Sequence, residues 1–108
     1  MEKIDYLCII NLKRTKIMKY LIVTEEGDFI STSLNVKKHL ANSKGNSVMC
    51  YDKYGYWIRH AKRVNGVIKK INPFCDGIAR QWAIDFIKNH QVGDRTEDAE
   101  KEYYSNNL

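Results

Sequence analysis

The chain has 108 residues, 44% of them hydrophobic, and this length predicts one domain with a small hydrophobic core. Lys and Arg number 18 against 13 Asp and Glu, so the chain is basic, with a formal net charge of +5 at pH 7. No apolar run reaches the roughly 18 residues that a membrane span needs, and 1 Pro with 6 Gly excludes collagen-like and Pro-rich disordered chains.

Neither the first residues nor the cysteines indicate an exported protein. The N-terminus lacks the apolar core and the small-residue cleavage site of a signal peptide, so we expect a cytoplasmic protein. The cysteines and histidines stand at wide spacings, with no CxxC and no zinc-ligand pattern: Cys8, Cys50, Cys75, His39, His60 and His90. We therefore expect reduced cysteines, no metal and no other cofactor.

The first predicted elements of the domain are a β-hairpin and a short helix. Tyr20–Thr24 is apolar and β-branched, the following residues have turn chemistry, and residues 29–32 resume the strand pattern. Ser33 or Asn35 is suited to cap a helix that ends near Asn42.

Two further strands and a tight turn are predicted next. Residues 48–51 and 56–64 have strand-like composition, and the dipeptide Asn65-Gly66 separates the second run from Val67. Asn-Gly between apolar residues is the strongest short hairpin signal, because a type I′ turn needs positive φ at both central residues. The sequence therefore predicts a second hairpin that closes at this dipeptide.

A long amphipathic helix is predicted at the C-terminal side of the domain. Asn72 is suited to cap it and Pro73 to its first turn, where the missing N–H has no cost. Apolar side chains then recur at the spacing of one helix face: Phe74, Cys75, Ile78, Ala79, Trp82, Ala83, Phe86 and Ile87. We expect this stripe to cover a sheet.

These elements define the predicted architecture. Residues 1–17 form an N-terminal extension or an edge strand, and residues 18–93 form a single domain. Residues 94–108 have a net charge of −3 and little to bury, which predicts a disordered acidic tail. The fold class is α+β, with an antiparallel sheet of four to six strands, a basic β-hairpin, and one long C-terminal amphipathic helix packed on the sheet.

The Asn65-Gly66 turn fixes the register of the second hairpin and so sorts its side chains by face. One face is largely apolar and is expected to meet the long helix: Tyr56, Ile58, His60, Val64, Val67 and Ile71, with Lys62 and Lys69 toward its end. The opposite face collects basic side chains and one aromatic: Trp57, Arg59, Ala61, Arg63, Ile68 and Lys70. Alternatively, Trp57 is a core residue, if the register slips by one near the preceding turn.

The middle of the chain is where an anionic partner is expected. Residues 34–72 have a net charge of +8, and residues 53–71 contain six Lys or Arg and no acidic residue. Lys62 lies opposite Lys69, and like charges in that position are destabilising. A phosphate backbone would relieve the repulsion, and aromatic rings stack on bases. The candidate nucleic-acid-binding residues are Arg59, Lys62, Arg63, Lys69, Lys70, Trp57, Tyr54, Tyr56, Lys37 and Lys38.

Three functions are compatible with this pattern. The first is a small non-enzymatic RNA-binding protein, RNA being favoured because the chain has no helix-turn-helix pattern for duplex DNA. The second is an inhibitor that docks its basic hairpin on an acidic protein of the host. The third is a small metal-independent ribonuclease that uses His60 for proton transfer. Open sheet edges also allow a homodimer, and no membrane partner is expected.

The composition carries a further hint about the source. Lys, Ile, Asn and Tyr make up 41 of the 108 residues, and their codons are rich in A and T. In this general style and in its length, the chain resembles the small accessory proteins of large lytic bacteriophages, without sharing a specific motif. The resemblance implies a regulatory or counter-defence role in the host cytoplasm, such as inhibition of a host toxin or nuclease through RNA.

Overall fold

An antiparallel sheet forms the centre of the computed structural model, which describes residues 18–72 and 77–106. Its six strands in these ranges are β1 (Tyr20–Thr24), β2 (Gly27–Ser31), β3 (Ser47–Tyr51), β4 (Trp57–Val64), β5 (Val67–Ile71) and β6 (Arg95–Thr96). They lie in the order β5-β4-β3-β1-β2-β6, and every neighbouring pair is antiparallel. The helices in these ranges are α1 (Val36–Ala41), α2 (Gln81–Asn89) and α3 (Ala99–Asn106). The predicted α+β class and antiparallel sheet are confirmed.

Helices cover the two faces of the sheet separately. On the face that α1 covers, here the α1 face, the buried core consists of Ile22, Val36, Leu40, Val48, Cys50 and Ala61. On the other, here the α2–α3 face, it consists of Leu21, Ile30, Tyr51, Trp82, Ala83, Phe86, Ile87 and Ala99. Successive strand residues point to opposite faces, so β1 contributes one buried leucine or isoleucine to each core.

Helix α1 forms where local sequence predicts it. The side chain of Asn35 accepts a 3.2 Å hydrogen bond from the backbone N–H of Lys38, which is the geometry of an N-cap. Val36 and Leu40, four residues apart on one side of the helix, are both buried against the sheet. The helix ends at Asn42, its C-cap, as the sequence predicts.

The predicted long helix is wrong in its extent. Helix α2 begins only at Gln81 and has nine residues, while the prediction for residues 73–76 falls outside the described ranges. Gly77 has φ +69°, a left-handed conformation that a right-handed helix cannot contain. The N–H of Arg80 then donates to the carbonyl of Gly55 at 3.1 Å, which joins the start of α2 to the turn between β3 and β4.

The predicted disordered tail is wrong for residues 95–106. Strand β6 pairs with β2, and α3 follows it and packs on the α2–α3 face. The prediction considered only the few apolar side chains within the segment. In the structure, Ala99 is buried, at 1% exposed, and Tyr103 packs against the same core. Asp98 caps this helix locally by accepting from the N–H of Lys101 at 3.0 Å, and Asp28 in β2, far away in sequence, accepts from the N–H of Ala99.

Two of the remaining predictions concern the ends of the chain and membranes. Residues 1–17, predicted as an extension or an edge strand, lie outside the described ranges, as do residues 107 and 108. Within those ranges, the helices are too short or too polar to cross a membrane.

Candidate nucleic-acid interface

The predicted register of the second hairpin is confirmed. β4 and β5 pair antiparallel, and Lys62 lies directly opposite Lys69. The turn adopts the conformation that its dipeptide favours, with φ +52° at Asn65 and +80° at Gly66. Since the pairing continues without interruption along β5, the face of each hairpin side chain follows from its position.

A β-bulge at the start of β4 changes the face of Trp57. The register between β3 and β4 shifts between Cys50 and Tyr51, which makes Ile58 an extra residue. Ile58 packs on the α1 face, while Trp57 packs beside the core of the α2–α3 face. The predicted grouping of Trp57 with the arginines of β4 is therefore wrong. The alternative, in which a slip of one residue turns it toward the core, is correct.

One face of the hairpin is left uncovered by the described helices. The sequence predicts that its apolar residues meet the long helix, but α2 packs over the β1 side of the sheet instead. Val64 and Val67 at the hairpin tip are 39% and 55% exposed. We call this surface the open hairpin face; it consists of Trp57, His60, Lys62, Val64, Val67, Lys69 and Ile71.

Two lysines face each other at the middle of the open hairpin face. Lys62 and Lys69 are cross-strand partners and both are exposed. Neither pairs with a carboxylate from residues 18–72 or 77–106. The hairpin strands themselves contain no acidic residue to offset these charges, so the two lysines form a cationic site whose position is set by the strand register.

His60 lies on the same face, between the lysines and the tryptophan. The centroid of its ring is 5.2 Å from that of Trp57, and the two rings are inclined at 57°. Its cross-strand partners are Met49 in β3 and Ile71 in β5, both apolar. Burial, together with the charge of Lys62, lowers the pKa of this imidazole below its ordinary value.

The guanidinium of Arg63, a predicted phosphate-binding residue, is engaged in hydrogen bonds within the protein. Its guanidinium donates to the carbonyl of Gly45 at 3.1 Å and to that of Leu40 at 3.2 Å. A third carbonyl, that of Ser43, lies 3.5 Å away. These carbonyls are at the C-terminal end of α1 and in the following turn, where a cation is favourable. Arg63 therefore holds α1 on the sheet.

The remaining predicted cations lie on the α1 face rather than with Trp57. The Nη1 atom of Arg59 donates to the carbonyl of the adjacent Ile58 at 2.8 Å. Lys70 is exposed on β5, opposite Ala61 of the α1-face core. Lys37 and Lys38 are exposed on α1. The ten predicted residues thus do not form one surface.

Two exposed tyrosines stand at the turn that precedes β4. Tyr54 and Tyr56 are 59% and 41% exposed. The carboxylate of Asp52 accepts hydrogen bonds from their backbone N–H groups at 2.9 and 3.0 Å, which fixes the turn. The ammonium of Lys53 lies 5.2 Å from the centre of the Tyr54 ring. Both rings are at the end of β4 at which Trp57 lies.

The described residues offer little other chemistry. Within residues 18–72 and 77–106, no three His, Cys, Asp or Glu side chains come together in a way that could hold a metal ion. Cys50 is fully buried, and burial raises the pKa of its thiol to about 12, which keeps it unreactive at neutral pH.

The sequence placed Lys62 and Lys69 on the correct face of the hairpin but expected the long helix to cover that face, and it grouped Trp57 with the opposite face. It expected His60, Val64 and Val67 to meet the long helix, with proton transfer in a ribonuclease as the functional alternative for His60, whereas Val64 and Val67 are exposed. One residue in the sequence could have shown which face of β4 is buried. Ala61 has a small apolar side chain between basic neighbours, which indicates that its own face, the α1 face, is the buried one. Comparison of the chain with protein-family models, curated proteins and solved structures gave no match.

Proposed function

We propose that the protein binds single-stranded RNA on the open hairpin face. The observation that carries the proposal is the pair of Lys62 and Lys69, two exposed ammonium groups held opposite each other without a carboxylate partner in the described ranges. Like charges so placed destabilise a hairpin, by roughly 0.2–1 kcal/mol. A phosphate between them would remove this repulsion and gain two charge-assisted hydrogen bonds.

Trp57 adds an aromatic surface to the cationic site. It packs beside the core and its Nε1–H donates to the carbonyl of Arg59 at 3.0 Å, so the ring is held in place before a base arrives. Stacking of a base on such a ring contributes about 1–3 kcal/mol. An uncovered sheet face suits a single strand, whose bases are unpaired, better than a duplex with its bases stacked inside.

The proposal is tested with two double variants that each remove two positive charges. Lys62→Ala with Lys69→Ala alters the open hairpin face, whereas Lys37→Ala with Lys70→Ala alters only the α1 face. Binding of a fluorescently labelled single-stranded RNA is followed by anisotropy over a range of salt concentrations. We expect the first variant to lose at least about tenfold in affinity, with the salt slope reduced by about 0.7, since the two lysines share one phosphate and each neutralised phosphate contributes about 0.7.

The control variant is expected to lose only about twofold, through its smaller net charge. Equal losses in the two variants would contradict the proposal, because they would show that net charge alone attracts RNA. If the wild-type protein binds no RNA but retains an acidic protein after nuclease treatment, the inhibitor hypothesis replaces it. The same mixtures, run on a denaturing gel, test the ribonuclease hypothesis.

The phage-like composition supports a biological setting for this binding. In a bacterial host, an RNA-binding protein of this kind would act in regulation or counter-defence, by protecting RNA from a host toxin or nuclease. Co-expression with an RNA-cleaving toxin tests this role. Wild-type protein is expected to restore growth, and the Lys62→Ala, Lys69→Ala variant is expected not to.

A further inference from the structure

We propose that the open hairpin face takes up a proton at His60 when it binds RNA, so that binding strengthens as the pH falls. This inference rests on the proposed function and adds a means of regulation to the same site. It follows from the position of His60, which is the one group of the open hairpin face with a titration range near neutral pH.

The surroundings of His60 disfavour its charged form in the free protein. On its own strand, Lys62 is the next residue on the same face, and on β5 Lys69 lies diagonally across from it. The directly opposite residues, Met49 and Ile71, are apolar and offer no negative charge to an imidazolium. These neighbours and partial burial agree with the lowered pKa of the imidazole. The site therefore favours the neutral form of His60 in the free protein.

Bound RNA reverses this balance. A phosphate held by Lys62 and Lys69 brings a negative charge beside the imidazole and compensates the charge of both ammonium groups. The pKa of His60 is then higher in the complex than in the free protein, so binding is coupled to proton uptake. By linkage, affinity rises as the pH falls from the higher of these two pKa values to the lower one, and it is constant outside that interval.

The experiment compares wild-type protein with His60→Gln, which keeps a polar side chain of similar reach and cannot titrate. The probe is a labelled oligouridylate without a terminal phosphate, because neither uracil nor a phosphodiester titrates in the range examined. Affinity is measured by anisotropy from about pH 8 to about pH 5.5, where an unperturbed His changes charge. We expect wild-type affinity to rise at least about fivefold and that of the variant less than about twofold, since one proton gives at most tenfold per pH unit.

A second measurement does not depend on the folding of the variant. NMR titration of the imidazole C–H signals in wild-type protein is expected to show a higher pKa for His60 with oligouridylate than without it. His39 and His90 serve as internal controls, because they lie outside the open hairpin face and each is hydrogen-bonded to a backbone carbonyl at 3.0 Å.

The outcomes separate the two proposals. Binding with the same pH dependence in both proteins, or an unchanged His60 titration in the complex, overturns the proton coupling and leaves RNA binding intact. Absence of RNA binding across the whole pH range overturns both.

Discussion

The carboxylate of Asp28 accepts a 2.8 Å hydrogen bond from the backbone N–H of Ala99, the first residue of α3. Asp28 is 4% exposed and Ala99 is 1% exposed, so the bond is shielded from water. The carboxylate thereby satisfies a helix N-terminus from a strand 71 positions earlier in the chain. It holds α3 in place over the core of the α2–α3 face.

Asp28 is expected to make the stability of the protein depend on pH. Burial raises the pKa of its carboxyl from 3.8 to about 6, against the lowering effect of the Ala99 hydrogen bond, and Asp98 and Glu100 add to the rise. Between about pH 4 and about pH 6 the unfolded chain has therefore released a proton that the folded protein retains, so stability falls as pH rises. The full loss is about 3 kcal/mol, at about 1.4 kcal/mol per pKa unit.

The variant Asp28→Asn isolates this effect, because its amide oxygen can still accept the bond from Ala99 but does not titrate. We expect the two proteins to have similar urea midpoints near pH 4 and the variant to be the more stable one near pH 7.5. Other carboxyl groups titrate equally in both and cancel in the difference. A variant less stable than wild type by the same amount at both values would show that the pKa of Asp28 is not raised.

Gly55 is expected to tolerate no side chain. Its φ is +86°, and a Cβ atom there would stand 2.6 Å from the backbone nitrogen of Arg80 and 2.7 Å from its oxygen. Gly55→Ala therefore combines backbone strain with a clash against the start of α2, for a loss of at least about 2 kcal/mol. The control is Gly66→Ala, at φ +80° with no atom within 4 Å of the added methyl, where only the strain of about 1 kcal/mol remains. Equal urea midpoints for the two variants would contradict the close approach of α2.

Arg63 is expected to contribute to stability rather than to RNA binding. Its guanidinium bridges the carbonyls of Leu40 and Gly45, and hydrogen bonds from a charged donor contribute about 1.5–3 kcal/mol. Arg63→Lys keeps the charge but not the planar fork, so we expect both Arg63→Ala and Arg63→Lys to lower the urea midpoint, and Arg63→Lys to keep wild-type RNA affinity. The opposite result, a stable Arg63→Ala variant that binds RNA poorly, would show that Arg63 binds phosphate.

The parts of the fold that the sequence predicts are those with local causes. The Asn65-Gly66 turn sets the register of the hairpin through its own backbone preference. Asn35 caps α1 by accepting a hydrogen bond from the N–H of Lys38, three residues further along the chain. In both cases the residues that determine the structure lie within a few positions of each other in the chain. The cross-strand pair of Lys62 and Lys69 could therefore be identified without a structure.

The parts that it misses depend on residues distant in sequence or on the backbone conformation of a single residue. Helix α3 has a local cap in Asp98, but it looks too polar to fold until Asp28 is known to accept a buried hydrogen bond from its first N–H. The extent of α2 is limited by Gly77, which the apolar periodicity passes over. The bulge at Ile58 cannot be located from the alternation of apolar and polar residues in β4. It nevertheless places Trp57 on the other face and so changes which residues make up the candidate site. An error of one residue in register is enough to exchange the two faces of a strand.

Lys69→Glu is expected to stabilise the protein and at the same time to weaken RNA binding. It converts the like-charge pair with Lys62 into an opposite-charge pair, for a gain of about 0.5 kcal/mol. It also places a carboxylate where the proposal places a phosphate, so RNA affinity should fall by more than about tenfold.

The matched control is Lys70→Glu, with the same change of charge on the α1 face opposite Ala61. The control should gain no stability and lose less affinity than Lys69→Glu. Urea unfolding and anisotropy measure the two quantities on the same samples. If Lys69→Glu is less stable than wild type, then Lys62 and Lys69 do not repel each other measurably. If it binds RNA as well as the control does, then the pair is not the phosphate-binding site.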